Sequence, residues 1–382
     1  MPEPPQLAPF EVKEQRLYST FLPTVAKIPK LPHLKQEHVP GTEWALQPFL
    51  AEAMASDLEV LIPTTSHSAA NHSSFIISDL RAEMNITYIT FGGHVEVEKY
   101  RYIYFVIMFM VYVLIICSNC TIVWLIITHK SLHEPMYIFI AALLVNSVLL
   151  STVIYPKLLI DFLSEKQIIL YHACLFQVFM FYVLSSSEFL LLSAMAYDRY
   201  VSICKPLQYP TIMRRTTVSI FLLLSWFLPA IQIVVPVLRN SITPLCNFTL
   251  KGIFCNNSVN HLYCVTSKAL SIYGMVVLFN GALFPMLFIL FTYIKIIIVA
   301  CQSCGNVRKK AAQTCLPHVL VLINYSCLVT YDMVIVRLES EFPKTARFIM
   351  TLQFVTYNPL CNPIIYGLKM KEISKNLKRL FS

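Results

Sequence analysis

From Tyr102 onward the chain is a succession of long apolar runs separated by short polar connections. Seven windows contain no Asp, Glu, Lys or Arg: 102–128, 136–156, 167–187, 216–238, 269–294, 311–331 and 348–368. Each is long enough to cross a bilayer as a helix, which takes about 20 residues, and the third runs on past Glu188 to Tyr197. After the seventh, Met370, Ile373, Leu377, Leu380 and Phe381 fall on one helical face, with Lys371, Lys375, Lys378 and Arg379 largely elsewhere. The pattern predicts an all-α membrane protein: a seven-transmembrane-helix bundle over 102–368, then a short amphipathic cytosolic helix and tail over 369–382 on the inner membrane surface.

Composition agrees: 56% of the 382 residues are hydrophobic and only 13% charged, far from the soluble globular norm. The connections form two alternating sets carrying fourteen and ten Lys or Arg residues. The richer set belongs inside the cell, which places the N-terminus outside and the C-terminus in the cytosol of a multi-pass plasma-membrane protein. The net charge of +9 then reflects topology and attraction to anionic membrane lipid, not nucleic-acid binding.

Residues 1–83 are Pro-rich and without periodicity, and are expected to be a disordered extension or a gene-model artefact. A second start at Met84 would open an extracellular N-terminus over 84–101, with a glycosylation sequon at Asn85. Further sequons at Asn247 and Asn256 lie in the long connection before the fifth window. Cys174, Cys246, Cys255 and Cys264 all fall on the outer side, an even set in an oxidising compartment that allows three pairings. The C-x-x-C pairs Cys117/Cys120 and Cys301/Cys304 lack the further ligands of a zinc site, so no metal is expected.

The chemistry concentrates in polar residues that a membrane span would otherwise avoid. Met195–Cys204 carries Asp198, Arg199 and Tyr200 at the inner end of the third window, where Asp198 can hold the Arg199 guanidinium until a partner competes for it. Asn119 and Glu188 sit within spans. In the seventh, Pro363 interrupts the backbone ladder and Asn362 can re-satisfy a freed group, making a hinge.

In order along the chain, Pro135-Met136-Tyr137, Met195–Cys204 with Pro206-Leu207 and Tyr209, Thr292-Tyr293, Lys310-Ala311 with Thr314-Cys315 and His318, and Asn362-Pro363 with Tyr366 resemble the odorant (olfactory) receptor family of rhodopsin-like class A G-protein-coupled receptors. The phrasing around the second and seventh spans is most similar to the fish type. The resemblance covers about Met84 to the C-terminus. It implies disulfides Cys174–Cys255 and Cys246–Cys264, a small-molecule odorant bound within the bundle, and a stimulatory heterotrimeric G protein raising cyclic AMP. In the active form Arg199 would meet that G protein, with Tyr293 and Tyr366 filling the gap. No catalytic residue, cofactor or enzymatic step is implied. The sequence departs from the family where Ser147 replaces the Asp of the second span, leaving Glu188 without half of a sodium-binding carboxylate pair, and where Ser326 replaces a Tyr.

Helical phase points Gln177, Val178, Phe181, Tyr182 and Ser185 of the third span toward a ligand, together with Asn280 of the fifth and Ser326, Thr330 and Tyr331 of the sixth. An amine receptor would carry an acid at Phe181 and an opsin a lysine at Thr356. A transporter or channel would bring repeats or charge rings. None of these is present, and a chemosensor of the same family outside the olfactory system remains the alternative.

Overall fold

The computed structural model of the chain describes residues 87–265, 267–302, 315–316, 318–330 and 343–381. The expectations for residues 1–83, Asn85 and Tyr331 lie outside the described residues. Eight helices follow in order: α1 (Val97–Thr128), α2 (Pro135–Leu163), α3 (Tyr171–Cys204), α4 (Arg215–Ser241), α5 (Lys268–Gln302), the described run of α6 (His318–Thr330), α7 (Lys344–Lys369) and α8 (Lys371–Phe381). Helices α1 to α5 are each long and apolar enough to cross a bilayer. The helices overrun the charge-free windows. Thus α2 continues past Pro156 to Leu163 because Lys157 and the buried Asp161 pair one turn apart, 3.1 Å between Nζ and Oδ1.

The α3 helix begins at Tyr171, because the residues before it are a strand. Two β-branched residues, Ile89 and Thr90, flanked by the aromatics Tyr88 and Phe91 form β1 (Tyr88–Phe91), which lies between β2 (Ile168–Leu170) and β3 (Thr249–Leu250), antiparallel to the first and parallel to the second. This small sheet, which the hydropathy pattern did not predict, caps one end of the all-α bundle. Just beyond β1, Gly93 N–H donates to Gly252 O at 3.1 Å, and a Cβ on Gly93 would lie 2.5 Å from the Gly252 carbonyl carbon. Only glycine allows that approach. Cys174 is bonded to Cys255 and Cys246 to Cys264, so the α4–α5 connection is tied both to α3 and to itself. Next to the sheet His94 is buried among the rings of Phe91, Phe162 and Phe348. That burial, reinforced by the Lys344 and Lys157 charges, pushes its imidazole down to about 4.

In α5, Phe279–Leu283 widens into a π-helical turn immediately before Pro285. Proline has no N–H to donate back to Gly281 and its ring crowds that carbonyl, so the helix relaxes by opening a turn. At the other end of the bundle α8 does more than lie on a membrane surface. Met370 and Ile373 are buried in the same core cluster as Ile122 of α1 and Tyr366 of α7, while Leu380 stays exposed.

Candidate functional site

The opposite end of α3 from the sheet holds Asp198, fully buried, and Arg199, 9% exposed. Arg199 Nε donates to Asp198 Oδ2 at 3.0 Å, and its terminal NH2 group donates to the same oxygen. Tyr209 OH donates to Oδ1 at 2.8 Å from the helical turn that follows α3. Burial first, and the Asp198 charge second, push the Tyr209 phenol well above its ordinary range, so it stays a donor. A buried charge pair is costly to break from one side only, about 3–5 kcal/mol. Tyr200 is half-buried beside Tyr197. Tyr293 and Tyr366 are buried in the adjoining core, with Tyr366 OH 3.5 Å from His318 Nδ1.

In mid-bundle a polar network ties four helices together. Glu188 is fully buried and accepts from Asn358 Nδ2 at 2.9 Å and from Asn362 Nδ2 at 3.0 Å, and Asn362 Nδ2 also lies 3.0 Å from Ser147 Oγ. The hinge is satisfied differently from expectation. Pro363 cannot donate to Pro359 O, and the group that takes up this carbonyl is Asn119 Nδ2, at 3.0 Å. Asn362 is engaged by Glu188 instead, because a buried carboxylate is the stronger acceptor.

Toward the sheet end a cavity of about 610 Å³ opens between α3, α4, α5 and the α4–α5 connection, with Val329 of α6 and Phe354 of α7 at its edge. Its volume lies within the ordinary range for small-molecule sites. Val178, Phe181, Tyr182 and Ser185 line it, as their helical phase suggests. Gln177 does not: Oε1 accepts from Cys255 N at 2.8 Å and Nε2 donates to Val153 O at 2.9 Å, so it braces α2, α3 and the disulfide-linked connection. Its periodicity was read correctly to within one position, but one position on a helix turns a side chain by about 100°. Asn280, in the π turn, and Ser326 are not among the described lining residues, and Thr330 is exposed. The widened turn rephases α5 and brings Gly281 to the cavity wall instead, where an added Cβ would meet Ser186 Oγ at 2.7 Å.

The roof of the cavity is the helical turn Asn257–Leu262. Asn256, expected to carry a glycan, is 6% exposed and lines the cavity. Its Oδ1 accepts from Ser258 N at 3.1 Å and Ser258 Oγ at 2.6 Å, which caps the turn. The Asn256 side chain is thus turned into the cavity wall, whereas Asn247 is exposed. Three lining features were missed in the sequence: Arg239 and Asn240 at the end of α4, and the Asn257/Asn260 pair of the roof. The available signal was a lone cation at the end of an apolar helix, followed by an asparagine-rich connection.

Between the cavity and the charge pair, Tyr325 OH of α6 donates to Ser185 O of α3 at 2.7 Å, and the Tyr325 ring packs on Phe189 with centroids 4.7 Å apart. Both Ser185 and Phe189 line the cavity.

A family profile described as "Olfactory receptor" matches residues 108–382. Human olfactory receptor 10K1 is 30% identical over 299 residues, covering 75% of this chain and 92% of that protein. Olfactory receptor-like protein COR2 of Gallus gallus is 33% identical over 288 residues, covering 72% and 89%. Human olfactory receptor 51E1 is 32% identical over 316 residues, covering 78% and 95%. The crystal structure of squid rhodopsin superposes with a TM-score of 0.61 at 17% identity, over 74% of this chain and 86% of that one, a likeness of fold alone. With the profile spanning most of the chain and such relatives matched nearly end to end, the chain belongs to the olfactory receptor family, and it is a multi-pass membrane receptor, not an enzyme.

Proposed function

We propose that the chain is an odorant receptor whose ligand occupies the cavity beneath the sheet end, and that occupancy shifts the bundle toward a form in which Arg199 leaves Asp198 for a stimulatory heterotrimeric G protein, raising cyclic AMP. The sheet and the disulfide-linked connection face outward, and α8 faces the cytosol. The observation that carries this reading is the layout of α3. One helix lines the cavity at Ser185 and Phe189 and holds the buried ion pair at Asp198 and Arg199, roughly 20 Å farther along at 1.5 Å per residue. A ligand that repacks Phe189 acts directly on the Tyr325 contact, and thus on how α6 sits against α3. Such a ligand works only by differential affinity for the two forms. Glycosylation at Asn247 and, outside the described residues, at Asn85 belongs to the same reading.

The test is a cyclic AMP reporter in cells expressing the full chain, screened with odorant mixtures beside an Arg199→Ala variant. A ligand-dependent rise that vanishes in the variant at equal surface expression is the expected result. Ligand-dependent signalling that survives Arg199→Ala would sink the switch.

A further inference from the structure

The cavity is polar at one end and apolar at the other. Near the roof the wall is built from Arg239, Asn240, Thr243, Asn257 and Asn260, whereas between α3 and α5 it is mainly Phe181, Phe189, Leu278 and Ala282 around the Ser185 and Ser186 hydroxyls, closed by Phe354. Along α3 it runs from Val178 to Phe189, roughly 16 Å at 1.5 Å per residue. A cleft of that shape and gradient fits an elongated molecule with a single polar head.

Charge identifies the head. Arg239 is the one ionisable Lys, Arg, Asp or Glu among the described lining residues, and within them no ion pair or hydrogen bond occupies its guanidinium. Beside it Asn240 is 7% exposed, its backbone carbonyl taken by Tyr171 OH at 2.7 Å, while its side-chain Oδ1 is buried without a partner. A cation at this rim, with no carboxylate beside it among the described lining residues, forms a receptor for an anion. A planar guanidinium matches a carboxylate in two parallel hydrogen bonds. Arg239 also suits the C-terminal dipole of α4, but that role would leave ligand preference unaffected.

We infer that the cavity takes a monocarboxylate with an apolar chain, its head on Arg239 and its chain laid between α3 and α5 toward Phe189. This rests on the cavity being the receptor's ligand site, as proposed above, but not on which G protein couples.

The experiment is a binding measurement independent of signalling: the thermal unfolding midpoint of the full chain in lipid nanodiscs, titrated with nonanoate, methyl nonanoate and nonanol. Nonanoate is expected to raise the midpoint saturably, with the ester and alcohol weaker by about tenfold or more, the difference a charge-assisted pair makes. Arg239→Gln should bring nonanoate down to the level of the ester, and Arg239→Lys should keep part of the preference. Both substitutions lie at an exposed position, and unliganded midpoints near the parent's report intact folding. Equal affinity for acid and ester, indifference to Arg239→Gln, or no saturable shift with nonanoate would each overturn the inference. Binding that meets every expectation without any cyclic AMP response in cells would leave it standing and count against the coupling proposed above.

Discussion

The two ends of α3 are built on opposite rules. At the Asp198 end the charge pair is buried and its carboxylate spent: Asp198 takes Arg199 on one oxygen and Tyr209 on the other. At the cavity end polar groups are held ready: among the described residues Ser185 Oγ and Asn240 Oδ1 are buried without partners, and Arg239 has no anion. An unsatisfied buried polar atom costs about 1–3 kcal/mol, so a fold keeps such atoms where a ligand will complete them. A charge pair that must hold until displaced is instead closed on all sides. In the reading proposed above, one end is a recognition surface and the other a latch.

The largest break in this comparison is at the recognition end. Cys174→Ser should release the roof from α3, costing about 2–5 kcal/mol and most surface expression; cell-surface labelling beside total protein checks it. A variant that reached the surface normally would mean that the sheet and Gln177 alone hold the roof.

Next comes pH. Burial holds the pKa of His94 down to about 4 in the fold, against 6.5 when solvated, so the folded imidazole is neutral at neutral pH. A group with a depressed folded value stabilises above its unfolded value and loses that contribution as pH falls through the folded one. The sheet end should thus weaken between pH 6.5 and 4, by about 3 kcal/mol at the acid limit. Unfolding midpoints measured across that range should fall for the parent and flatten for His94→Leu. A parallel fall in both would place the acid sensitivity elsewhere.

The smallest expected effect sharpens the link between the ends. Tyr325→Phe deletes one hydrogen bond to Ser185 O but keeps the ring on Phe189, which should cost about 1 kcal/mol. If that bond holds α6 in the resting position, basal cyclic AMP should rise while unfolding changes little. Unchanged basal activity would remove this bond from the coupling route.

Much of this was written in the sequence. Bilayer crossing demands long apolar runs, and those runs are the helices. Asp198, Arg199, Asn119, Glu188 and Asn362 stood out because a polar residue in a span is expensive enough to need a reason. What failed is equally specific. Gln177 was assigned to the ligand and serves as a brace, because helical phase says which way a side chain points but not which neighbour reaches it first. Asn256 was assigned to a glycan by a three-residue pattern that carries no information about burial. Pro363 was correctly seen to free a carbonyl, but its partner came from α1 rather than from the adjacent Asn362.

The division has a physical reason. Local rules, namely span length, the charge cost of lipid and proline's missing donor, act on a residue and its few neighbours in sequence, so the chain alone determined the bundle, the latch residues and the hinge. The cavity and its rim, the β1-centred sheet and the buried His94 depend on meetings between residues far apart in sequence: Arg239 with Asn257 on one cavity wall, Gly93 against Gly252, His94 against Phe348. Nothing in either partner's local sequence specifies the other, and only the packed tertiary structure decided which would meet.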